Sequence, residues 1–411
     1  MTSFDPRRVR DDTPLLTRVI NDRPITFLDS AASSLPPRAV IEAMSRHYER
    51  RHANVHRGVY QTANESTESY EGARAAIARF IKAPGGANEI VFTKNATESF
   101  NLLAKSWGGA NLKSGDVVLL SEMEHHANIV PWYQLREKTG IEVRFIPVGD
   151  DYRLDLRNID ALLEGVKLLS VTSMSNVLGT INPIKELAQT AHAHGALVAI
   201  DAAQSIGHLP TDVTDTDVDF YCFSAHKMLG PTGLGVFWTR EEILADMPPF
   251  LGGGGMIADV STTGYIPAKG PTRFEAGTPP IAEAAGLNAA VMYLEGLGMD
   301  NVHEHERHLT DDALTRLEDE FDGRIRVIGP NDTNDRGAVL SLDVLGVHAH
   351  DVAQVLDQFG VCIRPGHHCA KPLMKRFNLT ATARASYGPY SLVQDTDVLL
   401  EALTDAVKLF G

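Results

Sequence analysis

Seven short apolar runs between residues 88 and 240, separated mostly by longer amphipathic segments, restrict the fold more than any other feature. The runs are EIVFT (89–93), DVVLLS (116–121), VRFIPV (143–148), KLLSVTS (167–173), ALVAID (196–201), DFYCFS (219–224) and GVFWT (235–239). Buried-type strands that alternate with helices predict an α/β fold with a mostly parallel sheet. The last two runs flank KMLGPTGL, which has no helical pattern, so we expect them to be joined without a helix. Because open parallel sheets bind ligands beyond the carboxyl ends of their strands, residues at those ends are the first candidates for function.

The rest of the chain predicts a second, smaller α+β domain. Residues 241–280 are rich in Gly and Pro and show little periodicity, and a loop of this length is usually functional or forms an interface. The patterns that follow are helices near 281–297, 300–321, 350–359 and 394–410, and strands IRVIG, GAVLSLDV and VCIRP. We divide the chain into an N-terminal segment (1–25) that packs with the small domain, a large domain (26–290) and a small C-terminal domain (291–411).

Composition excludes several classes of protein. Hydrophobic residues make up 43% of the chain, which is enough to form a sizeable core and argues against disorder. The net charge of -15 argues against nucleic acid as a partner. Three cysteines are too few for a disulfide framework and indicate a reducing compartment. No apolar stretch approaches the ~18 residues of a membrane span, and the N-terminus lacks a signal-peptide core. We therefore expect a soluble, cytoplasmic protein without a membrane partner.

Asp201 and Lys227 carry the most specific chemical signal. Asp201 ends the run ALVAID, and Lys227 follows the next run in the sequence Ser224-Ala-His226-Lys227. This pair suits pyridoxal phosphate, because a lysine holds that cofactor covalently while a carboxylate keeps the ring nitrogen protonated and the ring electron-withdrawing. Ser224 and His226 would then bind the phosphate. On spacing alone, a loop-capping Asp201 and a solvated Lys227 remain an equal alternative.

Two further segments fit the same site. FTKNATESF passes from a strand into a helix, so Ala96 and Thr97 lie where free N–H groups and the helix dipole bind phosphate. The alternative is that Asn95 or Thr97 is only an N-cap. SEMEHHANIVPW places His125 and His126 at a strand exit, where an imidazole can stack on the cofactor ring and move protons. A histidine at such a position is more often structural.

The segment IRPGHHCAKPL contains Arg364, His367, His368 and Cys369 on a loop marked by Gly and Pro. Loop cysteines near cationic groups react as thiolates. Zinc is a weaker interpretation, because adjacent residues rarely chelate one ion and no second Cys/His cluster has suitable spacing. We predict no metal.

Arg384 and Asn176 are candidates for binding a substrate. Arg384, in ATARASYG, can clamp a carboxylate through two N–H groups. Asn176, in TSMSNVLGTINP, can bind the same carboxylate or a ring hydroxyl. Without further context, one is a surface ion-pair residue and the other a turn asparagine.

Taken together, these segments resemble the SUF-type cysteine desulfurases, a group of class V aminotransferases that also contains selenocysteine lyases and cysteine sulfinate desulfinases. The most specific stretches are VHRG (55–58), TKNATE (93–98), MEHHANIVPW (123–132), SNVLGTINP (175–183), DAAQS (201–205), FSAHKMLGPTGLG (223–235), RFEAGTP (273–279) and RPGHHCAKPL (364–373). The resemblance runs from residue 27 to the C-terminal helix. It implies a fold type I pyridoxal-phosphate-dependent transferase whose large domain has a seven-stranded sheet.

The resemblance also implies a role for each candidate residue. The residues assigned to catalysis are Cys369, Lys227 and His125. Those assigned to the cofactor, pyridoxal 5'-phosphate, are Lys227, Ala96, Thr97, His125, Asn176, Asp201, Gln204, Ser224, His226 and Thr278. Those assigned to the substrate are Arg384, Asn176, Arg364, His56 and Arg57. VHRG and RFEAGTP match segments through which a partner subunit completes the site, which implies a homodimer.

The implied reaction converts L-cysteine to L-alanine and leaves a persulfide on Cys369, from which a separate SUF acceptor protein takes the sulfur for iron–sulfur cluster assembly. Selenocysteine lyase and cysteine sulfinate desulfinase remain alternatives, as does a catalytically silent scaffold that acts through protein contacts. The short loop around Cys369 resembles the group that depends on an acceptor for fast turnover. The chain departs from the family at PYSLVQDTD, which stands in place of an Asn-Thr turn, and we expect Ser391 to replace that contact.

Overall fold

The structure is a computed structural model that describes residues 4–410. Its strands are β1 (Val19–Ile20), β2 (Arg23–Pro24), β3 (Thr26–Phe27), β4 (Ile90–Thr93), β5 (Val117–Ser121), β6 (Glu142–Ile146), β7 (Val166–Thr172), β8 (Leu197–Asp201), β9 (Phe220–Ser224), β10 (Gly235–Thr239), β11 (Ile257–Val260), β12 (Tyr265–Pro267), β13 (Ile325–Ile328), β14 (Val339–Val344), β15 (Val361–Cys362), β16 (Arg364–Gly366) and β17 (Thr382–Ser386).

The α-helices alternate with these strands through most of the chain. They are α1 (Pro6–Asp11), α2 (Arg38–Arg46), α3 (Gln61–Phe80), α4 (Ala96–Leu102), α5 (Gly109–Asn111), α6 (Val130–Thr139), α7 (Ile159–Leu162), α8 (Ile184–Ala193), α9 (Glu241–Asp246), α10 (Ile281–Leu297), α11 (Met299–Phe321), α12 (Ala349–Gln358), α13 (Lys371–Arg376) and α14 (Val393–Phe410). Across residues 4–410, every helix is too short or too polar to span a bilayer.

The main sheet has seven strands in the order β4-β10-β9-β8-β7-β5-β6. All seven predicted runs form these strands, so the prediction of an α/β fold with a mostly parallel seven-stranded sheet is confirmed. Within this sheet, the five strands β5 to β9 are parallel to one another, whereas β10 is antiparallel to both β9 and β4. A parallel connection needs a long crossover, and the short helix-free link before β10 allows only the antiparallel arrangement. β5, β9 and β10 are buried along their whole length, as expected for a sheet covered on both faces.

A smaller antiparallel sheet, in the order β13-β14-β17-β16, forms a second unit with α11, α12 and α14. Its core is a separate cluster of buried side chains that includes Leu340, Leu356 and Leu399. The predicted boundary at residue 290 falls inside α10, whose buried face belongs to the core of the main sheet. The N-terminal segment contacts both units, since Val9 lies in the main core while Arg10 pairs with Asp395 at 2.9 Å. The division into domains remains a prediction.

The predicted irregular region 241–280 contains a hairpin of β11 and β12. Most of its residues are exposed on both faces, including Val260, Tyr265 and Ile266. A hairpin without a buried face needs no alternation of polar and apolar residues, which is why the sequence shows no strand pattern there. Near the end of the region, the Glu275 carboxylate accepts hydrogen bonds from Arg74 Nη1 at 2.6 Å and from the Phe92 amide at 2.7 Å. These contacts attach the RFEAGTP segment to the β4 edge of the sheet.

A buried ion pair joins the main sheet to the second unit. His208 lies on the turns that follow β8, and its Nδ1 is 2.9 Å from Glu306 Oε2 on α11. Both side chains are almost completely buried. Burial lowers the pKa of His208, but the charge and the hydrogen bond of Glu306 outweigh this effect, and the net pKa is raised. The pair is therefore strongest when His208 is protonated.

We expect the stabilisation from this pair to depend on pH. Because the folded-state pKa of His208 is raised, its contribution is fully present below the unfolded value of about 6.5 and is lost as the pH rises through the folded value. At pH 6 the change His208→Gln should lower the free energy of unfolding by about 2 kcal/mol. The measurement is urea unfolding at pH 6 and pH 9, with the exposed His308→Gln as control. A destabilisation by His208→Gln that grows with pH would contradict this account.

Candidate active site

A cavity of about 200 Å³ lies at the carboxyl ends of β4, β5, β7, β8 and β9. The predicted site residues that line it are Ala96, Thr97, His125, Asn176, Asp201, Gln204, Ser224, His226, Lys227 and Arg364. All but Arg364 end or follow strands of the main sheet, and Arg364 comes from β16 of the smaller sheet. Ten of the predicted residues thus meet in one cavity.

Lys227 lies in a 3₁₀ turn directly after β9, and Asp201 is the last residue of β8. Burial lowers the pKa of Lys227 to about 8, Arg384 and Arg364 act in the same direction, and Asp201 opposes them. Burial raises the pKa of Asp201, although the amide of Ala203, which donates to Asp201 Oδ1 at 3.0 Å, favours the ionised form. The cavity therefore contains an amine that is easily deprotonated and a carboxylate beside it.

Donor groups gather at one end of the cavity, where α4 begins. Asn95 is the N-cap of α4, and its Oδ1 accepts a hydrogen bond from Glu98 N. The amide of Ala96 donates to Ser224 Oγ at 2.8 Å, and Thr97 is exposed. Gly235 lies so close to this turn that an added Cβ would be 2.5 Å from the Asn95 backbone, so only glycine fits there. Burial lowers the pKa of His226 to about 4, so its ring is neutral at physiological pH.

His125 enters the cavity from the turn after β5. Its Nδ1 accepts a hydrogen bond from the Ala127 amide at 3.1 Å, which leaves the proton of the neutral ring on Nε2. Burial lowers its pKa to about 3, and the charges of Lys227 and Arg364 act in the same direction. His125 is therefore a neutral ring that can stack on a ligand and donate one hydrogen bond from Nε2.

Cys369 lies on a strained loop beside the cavity. His368 and Cys369 have φ angles of 51° and 57°, a left-handed conformation that costs non-glycine residues about 1–3 kcal/mol each. Hydrogen bonds hold the loop in place, from Asn176 Nδ2 to the His368 carbonyl at 2.7 Å and from the His126 amide to the Cys369 carbonyl at 2.8 Å. Arg364 Nη2 lies 3.6 Å from Cys369 Sγ. The thiol is thus presented next to a cation that also lines the cavity.

Arg384, on β17, is completely buried. Its Nη1 donates to the Asn176 carbonyl at 2.9 Å and its Nη2 donates to Asp29 Oδ1 at 3.2 Å, while its Nε has no partner within residues 4–410. Burial lowers its pKa to about 10 despite the opposing charge of Asp29. Sequence reasoning missed Asp29, because its partner lies 355 residues away and nothing local distinguishes it from a turn aspartate.

The structure does not bring His56, Arg57 and Thr278 to the Lys227 cavity of the same chain. They line a second cavity of about 660 Å³ together with Gly254 and Glu275. Their predicted contribution to the site of a partner subunit is compatible with this separation and remains a prediction.

Three predicted contact residues form hydrogen bonds within the protein itself, and their contacts with cofactor or substrate remain predictions. The Asn176 side-chain amide bonds the Cys369 loop, and Gln204 Nε2 donates to the Ala31 carbonyl at 2.8 Å. Ser391 Oγ accepts a hydrogen bond from the Gly388 amide at 3.1 Å, while its carbonyl accepts one from His305 Nε2. Ser391 thus closes the turn after β17, and a contact with substrate remains a prediction.

The donor set of the cavity fits pyridoxal phosphate. The amine of Lys227 and the buried carboxylate of Asp201 lie at the ends of neighbouring strands, and neutral hydrogen-bond donors lie where α4 begins. The imidazole of His125 lines the same cavity. Within residues 4–410, no group of three or more His, Cys, Asp or Glu side chains is arranged to hold a metal ion.

The lowered pKa of Lys227 gives a direct test in the cofactor-free protein. We expect the acetylation rate of Lys227 to level off above pH 8, whereas exposed lysines react faster up to about pH 10. Peptide mass spectrometry after a short exposure to acetic anhydride measures both in one sample. Asp201→Asn should shift the profile to lower pH, because the carboxylate favours the ammonium form. A Lys227 profile that follows the exposed lysines would contradict the assigned environment.

Comparisons with known proteins agree with this geometry. The sequence matches the family Aminotransferase class-V over residues 26–399. It is 46% identical to a probable cysteine desulfurase of Streptomyces coelicolor over 99% of this chain and 98% of that protein, and 43% identical to a cysteine desulfurase of Escherichia coli over the full length of both. The apo structure of the cysteine desulfurase of Thermococcus onnurineus superposes with a TM-score of 0.94 at 40% identity, covering 99% of this chain and 100% of that one.

These matches confirm the predicted fold type I transferase and its cofactor, pyridoxal phosphate. The chain belongs to the aminotransferase class-V family and, within it, groups with the cysteine desulfurases.

Proposed function

We propose that the protein converts L-cysteine to L-alanine and keeps the sulfur as a persulfide on Cys369. The observation that carries this proposal is the position of the Cys369 thiol, 3.6 Å from Arg364, which lines the cavity of Lys227 and Asp201. A family member that acts on a carbon–carbon bond or moves a proton has no use for a thiol there. The names of the full-length relatives support the same activity.

The residues that would hold the cofactor divide by its chemical groups. Lys227 would form the covalent link, Asp201 would pair with the ring nitrogen, and His125 would cover the ring. The phosphate would be bound where α4 begins, by Thr97, the Ala96 amide, Ser224 and His226. When bound, the cofactor withdraws electrons from the substrate's α-carbon.

Arg384 is the group best suited to the substrate carboxylate. Its guanidinium is buried, and among the described residues it has one charged partner, Asp29, and no partner for Nε. A carboxylate that accepts two N–H bonds from Arg384 would satisfy it and orient the amino acid. Asp29 is the carboxylate that faces Arg384 in the present structure, so we expect Asp29 to lose part of this contact when substrate binds.

Lys227 and Cys369 then divide the chemistry. An amine with a pKa of about 8 is partly neutral at physiological pH, so Lys227 can accept the substrate α-proton. The Cys369 thiolate attacks the substrate sulfur, a sulfur–sulfur bond forms, and the carbon–sulfur bond breaks. Its electron pair stays with the carbon skeleton, which takes up protons and leaves as alanine. Arg364 Nη2, 3.6 Å from Cys369 Sγ, is the cation nearest to hand for orienting the sulfur.

Partners complete the proposal. We assign His56, Arg57 and Thr278 to the site of a second copy in a homodimer, and the persulfide to a separate acceptor protein of the SUF system for iron–sulfur cluster assembly. A cytoplasmic location fits the three cysteines, none of which forms a disulfide in the described structure. Selenocysteine lyase and cysteine sulfinate desulfinase are outcomes of the test below.

Cys369→Ala tests the persulfide mechanism. We expect this change to abolish alanine formation from L-cysteine, because no thiol remains to accept the sulfur, while the absorbance of bound pyridoxal phosphate is unchanged. The measurement compares alanine formation from cysteine, selenocysteine and cysteine sulfinate in wild type and variant. Cys222→Ala, which changes a buried cysteine outside the cavity, is the matched control. Full cysteine activity in Cys369→Ala would move the assignment to an enzyme that releases its leaving group directly.

Arg384→Ala tests the carboxylate clamp. Losing two charge-assisted hydrogen bonds should raise KM for cysteine about 10- to 100-fold, with a smaller effect on kcat. Steady-state alanine formation measures both constants, and Arg376→Ala, an exposed arginine paired with Asp150, is the control. An unchanged KM would show that another group binds the carboxylate.

A further inference from the structure

Glu124 is a completely buried carboxylate for which the reaction above has no role. It accepts hydrogen bonds from three groups, namely Ser121 Oγ on β5, the Thr172 amide on β7 at 2.9 Å and Asn128 Nδ2 at 2.8 Å. Burial raises its pKa to about 8, and the three donors oppose this by favouring the ionised form. A buried acid held by three donors is costly to maintain, which points to a specific purpose.

Donor and acceptor roles around Glu124 are determined by two groups that can only donate. The Trp132 indole donates to Asn128 Oδ1 at 3.1 Å, so Asn128 Nδ2 must face Glu124. The Thr172 amide likewise requires an acceptor on the other carboxylate oxygen. Ser170 Oγ also donates to Asn128 Oδ1, at 2.6 Å. Both oxygens of Glu124 must therefore accept, which a carboxyl group can do and an amide cannot.

In the sequence, His125 lies between Glu124 and Asn128, the two residues whose side chains are bonded to each other. Glu124 precedes it, and Asn128 ends the same turn. The Asn128 amide also donates to the His125 carbonyl at 2.9 Å, and the Ala127 amide donates to the His125 ring. The turn is thus tied at both ends, and through Thr172 it is tied to the strand that pairs with the Asp201 end of β8.

We propose that Glu124 is a positioning residue whose side chain, bonded to Asn128, holds the His125 ring over the cofactor. This inference rests on the proposed function in one respect, since it takes His125 as the residue that covers the ring. It predicts that disturbing Glu124 weakens cofactor binding only while the His125 ring is present.

Glu124→Gln keeps the shape of the side chain and replaces one acceptor by an NH₂ group. With one oxygen required by Thr172, that NH₂ group must face the NH₂ group of Asn128, and the turn shifts. We expect the dissociation constant for pyridoxal phosphate to rise about three- to tenfold, the equivalent of one lost aromatic contact. The measurement is a titration of the cofactor-free protein with pyridoxal phosphate, followed by absorbance and by visible circular dichroism.

Two further variants separate positioning from general destabilisation. In a His125→Ala background, Glu124→Gln should leave the dissociation constant unchanged, because the ring it positions is gone. In the double variant Glu124→Gln with Asn128→Asp, the glutamine NH₂ group can donate to the new carboxylate, whose other oxygen still accepts from Trp132. We expect this pair to recover part of the lost affinity, because the contact of Asn128 Nδ2 with the Ser170 carbonyl at 3.2 Å is not replaced.

An equal loss of affinity in the presence and absence of the His125 ring would overturn the proposal, as would a wild-type dissociation constant in Glu124→Gln. If Glu124→Gln does not fold, Ser121→Ala can replace it, because this change removes one donor to the same side chain. Its effect on the dissociation constant is then compared with and without the His125 ring. The titration contains no cysteine. The result of this titration therefore does not depend on whether the protein desulfurates cysteine. A failed titration would likewise not contradict the proposed desulfurase reaction.

Discussion

The parallel register of β5, β7, β8 and β9 is the constraint on which the site depends. Each strand ends at or before a polar residue, and because the strands run in the same direction these residues emerge at one edge of the sheet. The strands are buried on both faces, so a slip in register would place apolar side chains at the site and polar ones in the core. The positions of Asp201 and Lys227 are therefore set by the packing of the whole sheet.

Three cationic side chains and two carboxylates lie in and around the cavity. Lys227, Arg364 and Arg384 face the carboxylates of Asp201 and Asp29, and the nearby imidazoles are held neutral by burial and by these cations. Burial is the main cause of the lowered pKa of Lys227, and the charges of Arg384 and Arg364 act in the same direction.

The Cys369 thiol lies on the loop that follows β16 of the smaller sheet, whereas the Lys227 amine follows β9 of the main sheet. Strain at His368 and Cys369 persists because hydrogen bonds from His126 and Asn176, both on loops of the main sheet, hold the loop. The thiol therefore reaches its position only when the two sheets are packed together. The buried pair of His208 and Glu306 contributes to that packing from the turns after β8.

Local pattern alone determined the seven strands, the helices after residue 280, and Asp201 and Lys227 at strand ends, because burial and hydrogen bonding repeat within a few residues. Only the tertiary structure decided the contacts between distant segments. Arg384 meets Asp29, the thiol meets Arg364 across a strained turn, and His56 lies in a separate cavity. The hairpin of β11 and β12 could not be predicted from the sequence, because it has no buried face. The role of Glu124 could not be predicted either, because it depends on the groups of β5 and β7 that donate to its side chain. Side chains that are far apart in the chain carry no periodic signal, and only folding brings them within bonding distance.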